Sequence, residues 1–387
     1  MITTIAPGKL MLVGEWAVLE AGKPCIALAV DKYVECTLLP SNSMYIKIPD
    51  MEELQFSFEN SEVRFKRMLT TGEKEKIKFA KATICTFLRY MEELNKPAKM
   101  FKITTSGHNT TLNIDGTERK IGFGSSAACC AAIGAAFMAE YGFDINETKT
   151  KDILFKLSAI AHFIAQDYQG SGFDIAASVY GGAVYYKAFS RIWLMKELRE
   201  QAGKKPLKDI LAGDWPDLKI KNIKIPEWLK ISCCYTSQPG FTSELIMKMD
   251  RFREKNFSAW DLLTDDIEES VESALDGMEW NNKEEIRRMI FKNQYELNEL
   301  DKASQAGIMT DALKKAITIA NDNGGAGKIS GAGGGDCAIA VCFDNNTENN
   351  KENTNNTYLK INNAWKEAGL YPIDVKIEEK GITCTHA

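Results

Sequence analysis

Short apolar runs punctuated by Gly and Pro fill residues 2–39, and that pattern predicts strands joined by turns. Ile2 to Ala6 reads as a first strand, broken at Ala6-Pro7-Gly8-Lys9, with Leu10-Met11-Leu12-Val13 following up to Gly14-Glu15. Ala17-Val18-Leu19, a turn at Ala21-Gly22-Lys23-Pro24 and two strands within Ile26 to Leu39 complete this part. The period then lengthens. Ile77, Ala80, Ile84, Phe87, Leu88 and Met91 recur at helical spacing over about Lys76 to Leu94 and make a core-facing stripe. Tyr45 to Ile48, Phe56 to Phe65 and Phe101 to Thr105 read as strands around that helix, and Asn113-Ile114-Asp115-Gly116 as a hairpin turn. Residues 150–165 form a helix on Ile153, Leu154, Leu157, Ile160, Ala161 and Ile164. Ala183 to Tyr186 and Ile231 to Thr236 are strands, two or more helices cover about 241–320, and Ala338 to Phe343 is a strand. Leu359 to Glu367 and Ile373 to Ile377 end the chain as helix and strand. Residues 190–230, irregular and lysine-rich, read as a connection or insertion, and Asn345 to Asn356 as a low-complexity surface loop.

Three glycine-centred loops interrupt this pattern. The central one is Lys120-Ile121-Gly122-Phe123-Gly124-Ser125-Ser126-Ala127-Ala128, running into the small-residue segment Cys129 to Met138, enough for about three helical turns. Glycines there admit backbone conformations that a β-carbon forbids and let a ligand approach the amides. Ser125 or Ser126 is placed to cap the helix, and free first-turn N–H groups with the helix dipole favour an anion. The segment lacks the lysine and the longer spacing of a Walker loop, and no third glycine completes a dinucleotide fingerprint. The second loop, Gln169-Gly170-Ser171-Gly172-Phe173-Asp174, sets a carboxylate before an apolar run. In the third, Lys328 to Cys337, the glycines require close approach to a chain segment or a ligand.

Composition narrows the class. The chain has 387 residues, enough for two domains, and ordinary globular proportions of 44% hydrophobic and 26% charged residues. The net charge of −5 argues against nucleic acid as a main partner. Ten cysteines, mostly in apolar stretches and without a Cys-x-x-Cys pair, suit reduced thiols in a cytoplasmic protein. Pro7, Gly8 and Lys9 stand where a signal peptide would be apolar, and no uncharged run is long enough for a membrane span.

Taken in order, the loops carry a resemblance. Ile5-Ala6-Pro7-Gly8-Lys9-Leu10-Met11-Leu12-Val13-Gly14-Glu15-Trp16-Ala17-Val18-Leu19 resembles the first motif of the GHMP kinases, Gly122 to Ala128 their phosphate loop, and Lys328 to Cys337 their third motif. Ala161-His162, Ala165-Gln166 and Gly170 to Gly182 are similar to the central signature of the phosphomevalonate kinase branch, as is the form of Ser330 to Cys337. Thr242-Ser243 resembles a segment near the substrate. Two departures stand out: Phe123 replaces the usual Leu, and Phe163 stands eleven residues before Asp174, where mevalonate kinases carry a metal-binding glutamate.

The resemblance implies an α+β, two-lobed fold: a ribosomal-protein-S5-like N-terminal lobe over 1–190, a connection over 191–230 and a ferredoxin-like C-terminal lobe over 231–387, with the active site between them. It implies ATP and Mg²⁺ as cofactors and 5-phosphomevalonate as the small-molecule partner, in a monomer or homodimer. Gly122, Gly124, Ser125, Ser126 and Ala127 would cradle the ATP phosphates, with the Ser126 hydroxyl on the metal. Ser171, Gly172, Ser330, Gly331, Ala332 and Gly333 would meet the substrate, and Lys9 and Asp174 would face each other at the transferring group. A phosphomonoester acceptor is already largely dianionic at neutral pH, so Lys9 is expected to matter most and Asp174 chiefly to hold Lys9. Lys187 and Arg191 are candidates for the acceptor phosphate, and His162 for a supporting role. The alternatives are mevalonate kinase, diphosphomevalonate decarboxylase, or a non-catalytic ligand sensor on the same fold.

Overall fold

Alternating side chains put seven strands from the first half of the chain into a nine-stranded mixed sheet. The structure, a computed structural model, describes residues 1–114, 116–199, 205–236, 242–343 and 356–386. The hairpin position Asp115, the stop at Ser237 to Gly240 and nearly all of the Asn-rich loop lie outside the described residues, as do the side chains of Lys120, Thr242 and Ser243. In chain order the first lobe runs β1 (Ile2–Val13), β2 (Pro24–Pro40), β3 (Met44–Lys47), β4 (Leu54–Glu59), β5 (Glu62–Phe65), α1 (Thr71–Glu93) and β6 (Phe101–His108). It continues through β7 (Thr111–Ile114), β8 (Thr117–Lys120), α2 (Ser125–Glu140), α3 (Thr148–Ala165), α4 (Phe173–Tyr180) and β9 (Ala183–Lys187). Next come α5 (Arg191–Arg199), α6 (Leu207–Ala212) and β10 (Lys219–Ile223).

Two strand boundaries differ from the sequence reading. Pro7-Gly8 does not break β1 but shifts its register against β2, because a bulge tolerates the missing proline N–H. The Ser178 hydroxyl donates to the Pro7 carbonyl at 2.8 Å and fixes that bulge. Ile26 to Leu39 is a single strand rather than two. β2 offers one edge to β1 along its length and shares the other between β9 and β6. Residues 190–230 are also more regular than expected, since β10 extends the sheet beside β9.

Helix α2 is almost wholly buried between the sheet and helices α1 and α3. Its small side chains permit this: a Cβ on Gly134 would come within 2.5 Å of Phe87 Cζ and 2.9 Å of Leu154 Cδ1.

The second lobe comprises β11 (Lys230–Tyr235), α7 (Thr242–Lys255), α8 (Phe257–Glu279), α9 (Lys283–Ser304), α10 (Asp311–Asp322), β12 (Ala326–Ile329), β13 (Cys337–Cys342), α11 (Thr357–Glu367) and β14 (Tyr371–Ile373). Its sheet is antiparallel in the order β12-β13-β11-β14. Leu10, Leu12, Ile26 and Leu28 of the large sheet share one core with Val271 and Ala274 of α8 and Ile339 and Val341 of β13. The lobes are therefore joined by apolar burial as well as by chain. The final strand, β15 (Thr383–His386), returns to pair with β1, so the chain after 231 does not stay within the second lobe. Among the described residues no helix is long and apolar enough to cross a membrane. None of the ten cysteines forms a disulfide, and most are buried.

Candidate active site

The phosphate-type loop is shaped by one residue in the left-handed region. Gly124 has φ 74° and is the N-cap of α2, with no side-chain cap, so neither Ser125 nor Ser126 caps the helix as the sequence suggested. The first-turn amides of Ser125, Ser126 and Ala127 are thereby left for an anion. Gly124 must also be small: a Cβ there would lie 2.9 Å from Lys9 Cγ. β1 meets this loop directly, since the Lys9 amide donates to the Phe123 carbonyl at 2.8 Å. Phe123 itself is buried in the core between the lobes.

Lys9 therefore reaches the loop from below. Its Nζ lies 5.5 Å from the centre of the Phe173 ring and 3.9 Å from where a Cβ on Gly331 would stand. No carboxylate of the described residues pairs with it within 4.0 Å. Asp174 therefore does not hold Lys9 by an ion pair. Asp174 instead accepts a hydrogen bond from the Ile175 amide at 3.0 Å through Oδ1, and its Oδ2 lies 3.8 Å from His162 Nε2. We expect Gly124→Ala to lower kcat about 100-fold by displacing the Lys9 stem, while left-handed strain of about 1 kcal/mol leaves the protein folded. Steady-state kinetics beside a melting curve check this; an unchanged kcat would show that the Lys9 stem has room to move.

His162 was a minor candidate in the sequence. In the structure its Nε2 is 3.1 Å from Ser126 Oγ, its ring stacks on Phe79 at 5.0 Å, and it is 3% exposed. Burial lowers its pKa, opposed by Asp174 and assisted by Lys78, so the ring is neutral at pH 7. Phe163 points the other way and packs on Tyr168 and Phe189. The side chain that faces the phosphate loop from α3 is His162, a neighbour that counting from Asp174 overlooks.

Ser171 and Gly172 lead into α4, with Gly172 at φ 84° as its N-cap. The Ser171 carbonyl accepts from the Tyr186 hydroxyl, and its own buried hydroxyl has no partner among the described residues. In the third loop, Ser330 serves as a joint. Its Oγ accepts from the Met11 amide at 2.9 Å and donates to the Met11 carbonyl at 3.1 Å. Gly333 is pressed against Ile308 and Gly334 against Leu245, so those glycines answer to neighbouring chain. Gly331 is the one nearest Lys9, and Ala332 beside it is partly buried.

Asp336 was missed altogether. It has φ 62°, and its Oδ1 accepts from the Gly122 amide at 3.2 Å. A Cβ on Gly122 would strike Asp336 Oδ2 at 1.7 Å. Gly122 thus gives its amide to an internal carboxylate. Burial raises the Asp336 pKa, against the Gly122 hydrogen bond and the Lys9 charge. A polar residue in a glycine run was the available signal.

Of the two candidate cations, Lys187 is engaged by Glu268 at 3.3 Å and Glu272 at 3.0 Å. Arg191 is partly buried and has no ion-pair partner among the described residues. Burial lowers its pKa, with Glu20 opposing and Arg253 assisting. Among the described residues there is no cluster of three or more metal-ligating side chains. The hard oxygen donors of Ser126 and Asp174, which flank His162, nonetheless fit a magnesium ion that keeps most of its ligands from water and phosphate.

Residues 80–182 match the family model of the GHMP kinases N terminal domain, and residues 267–366 that of GHMP kinases C terminal. The chain is 28% identical to a phosphomevalonate kinase from a Streptomyces species, over 97% of each chain. It is 25% identical to a mevalonate kinase from Thermococcus sibiricus, over 97% of this chain and 96% of that one. The structure of Streptococcus pneumoniae phosphomevalonate kinase in complex with phosphomevalonate and AMPPNP superposes with a TM-score of 0.78 at 21% identity, covering 97% of this chain and 99% of that one.

Proposed function

The chain belongs to the GHMP kinases, and from that we propose that it transfers the γ-phosphoryl group of ATP to 5-phosphomevalonate, giving 5-diphosphomevalonate and ADP. The observation that carries this reading is the Lys9 ammonium beside the phosphate loop, which pairs with no carboxylate of the described residues within 4.0 Å. Two phosphate groups must meet here, and their repulsion is the main obstacle. An acceptor phosphate oxygen attacks the γ-phosphorus as the bond to the ADP oxygen breaks. Lys9 attracts both reactants and stabilises the equatorial oxygens, while the amides of Ser125 to Ala127 hold the chain of phosphates. Ser126 and Asp174 would hold magnesium, which neutralises phosphate charge when bound. Arg191 supports the choice of an anionic acceptor: it is a partly desolvated guanidinium with no ion-pair partner among the described residues, two residues beyond Phe189, which lies against Gly172.

Mevalonate is the second candidate acceptor. Likeness to mevalonate kinases favours it, as does Asp174, which pairs with no lysine or arginine of the described residues and would take a hydroxyl proton. The test is ADP release with magnesium and a panel of 5-phosphomevalonate, mevalonate, 5-diphosphomevalonate, homoserine and galactose. Turnover with 5-phosphomevalonate alone, one ADP per diphosphorylated product, is expected. Turnover with mevalonate alone would replace the acceptor and make Asp174 the base. Carbon dioxide release from 5-diphosphomevalonate would move the chain to the decarboxylases.

A further inference from the structure

We infer that His162 is the positioning residue for Ser126, holding its hydroxyl proton at Nε2 so that the Oγ lone pairs face the mouth of the phosphate loop. The inference rests on the reading of this site as a metal-dependent nucleotide site. Its basis is geometric. The 3.1 Å separation of Ser126 Oγ and His162 Nε2 is a hydrogen bond, whereas the 3.8 Å from Nε2 to Asp174 Oδ2 is too long for one. His162 therefore serves the serine and only borders the carboxylate.

A hydroxyl carries one proton and two lone pairs, and the direction of the proton decides what the oxygen can do. With nothing to accept it, the Ser126 proton would be drawn to the incoming phosphate oxygens, and the hydroxyl would act as one more donor. Held by an imidazole nitrogen on the α3 side, the proton is removed from the phosphate side. The oxygen then presents electron density to a cation. With Nε2 taken as the acceptor, the ring carries its proton on Nδ1.

The surroundings fix the ring for this task. Phe79 stacks on one face at 5.0 Å, and burial to 3% exposure leaves no room for free rotation. α3 supplies the residue from its last turn, while Ser126 stands in the first turn of α2. The pair thus ties the end of one helix to the start of another at the point where a charged ligand arrives. Helix-end geometry of this kind is rigid, and a hydroxyl on a first turn otherwise has several rotamers to choose from.

The experiment measures ADP binding by calorimetry, once with magnesium and once with a chelator, for the wild type, Ser126→Ala, His162→Phe, His162→Gln, His162→Asn and the Ser126→Ala/His162→Phe double variant. His162→Phe keeps the stacking on Phe79 but has no acceptor. It is expected to lose about tenfold in affinity with magnesium, the worth of one hydrogen bond, and to bind metal-free ADP like the wild type. His162→Gln can reach and accept, and is expected to retain most of the magnesium effect. His162→Asn is too short and is expected to lose it, which keeps the test decisive if the Phe variant fails to fold. In the Ser126→Ala background, His162→Phe is expected to add nothing. Equal losses with and without magnesium, or additive losses in the double variant, would overturn the inference while leaving the kinase reading intact. A wild type that binds ADP equally in both conditions would overturn the inference together with the metal part of that reading.

Discussion

Lys9→Met is expected to lower kcat by about 10³-fold or more in a protein that folds like the wild type. Methionine preserves the length and much of the volume of the stem that runs under Gly124 and beside Phe173. The substitution removes only the charge. No carboxylate of the described residues pairs with Lys9 within 4.0 Å, and Asp336, whose pKa the Lys9 charge helps to lower, keeps its hydrogen bond from the Gly122 amide, so melting is expected to shift by no more than a few degrees. The same fact alters the part assigned to Asp174. It cannot hold Lys9 by an ion pair it does not make, and with its Oδ1 on the Ile175 amide it stands as an independent negative group. Asp174→Asn is then expected to cost about tenfold to a hundredfold, less than the 10²–10⁴ typical of a general base, because a phosphate acceptor has little proton to give up. Single-turnover rates at saturating ATP separate chemistry from binding. A loss in Asp174→Asn that exceeds the loss in Lys9→Met would reverse this division and favour a hydroxyl acceptor.

The sequence made visible what depends on neighbours in the chain. Gly124, Ser125 and Ser126 announced the start of α2, and the stripes of α1 and α3 announced buried faces, because helical period and glycine placement are local signals. What escaped depends on residues far apart. Pro7 looks like a strand terminator until β2 is present to absorb a bulge. Ser330 reads as a ligand contact, and its tie to the Met11 amide and carbonyl shows only in three dimensions. The approach of His162 to Ser126 across 36 residues, and of Asp336 to Gly122 across 214, leaves no periodic trace. Counting eleven residues back from Asp174 finds Phe163, which faces the core; the loop around Gly170 makes counting unreliable, and the adjacent His162 takes the inward place.

Glu15 and Lys328, 313 residues apart, are a further case, and they carry the second large effect. Glu15 follows β1 of the first lobe, and Lys328 lies in β12 of the second. Both are buried, at 1% and 0% exposure, and they form an ion pair across the lobe junction. Lys328 also donates to the Ile329 carbonyl at 2.6 Å, while Glu15 Oε2 has no partner among the described residues. Burial lowers the Lys328 pKa, and Glu15 opposes it. Such a pair adds little over an apolar substitute, since desolvation offsets the attraction, but removing one partner leaves an uncompensated charge in a medium that solvates it poorly. Lys328→Met is therefore expected to destabilise by about 3–5 kcal/mol, with the second Glu15 oxygen already unsatisfied and the first now alone. Glu15→Gln is expected to cost about 1–3 kcal/mol, since its amide oxygen still accepts and the Ile329 carbonyl remains. The double variant should recover most of the Lys328→Met loss, because no stranded carboxylate is left. The denaturant midpoint at unchanged m reads each value. Lys328 stands two residues before Ser330, so a slack junction also moves Gly331 away from Lys9, and kcat should fall with stability in Lys328→Met and return in the double variant. A Lys328→Met protein within about 1 kcal/mol of the wild type would show that Glu15 takes up a proton or water at little cost, and that the lobes are held by their shared apolar core alone.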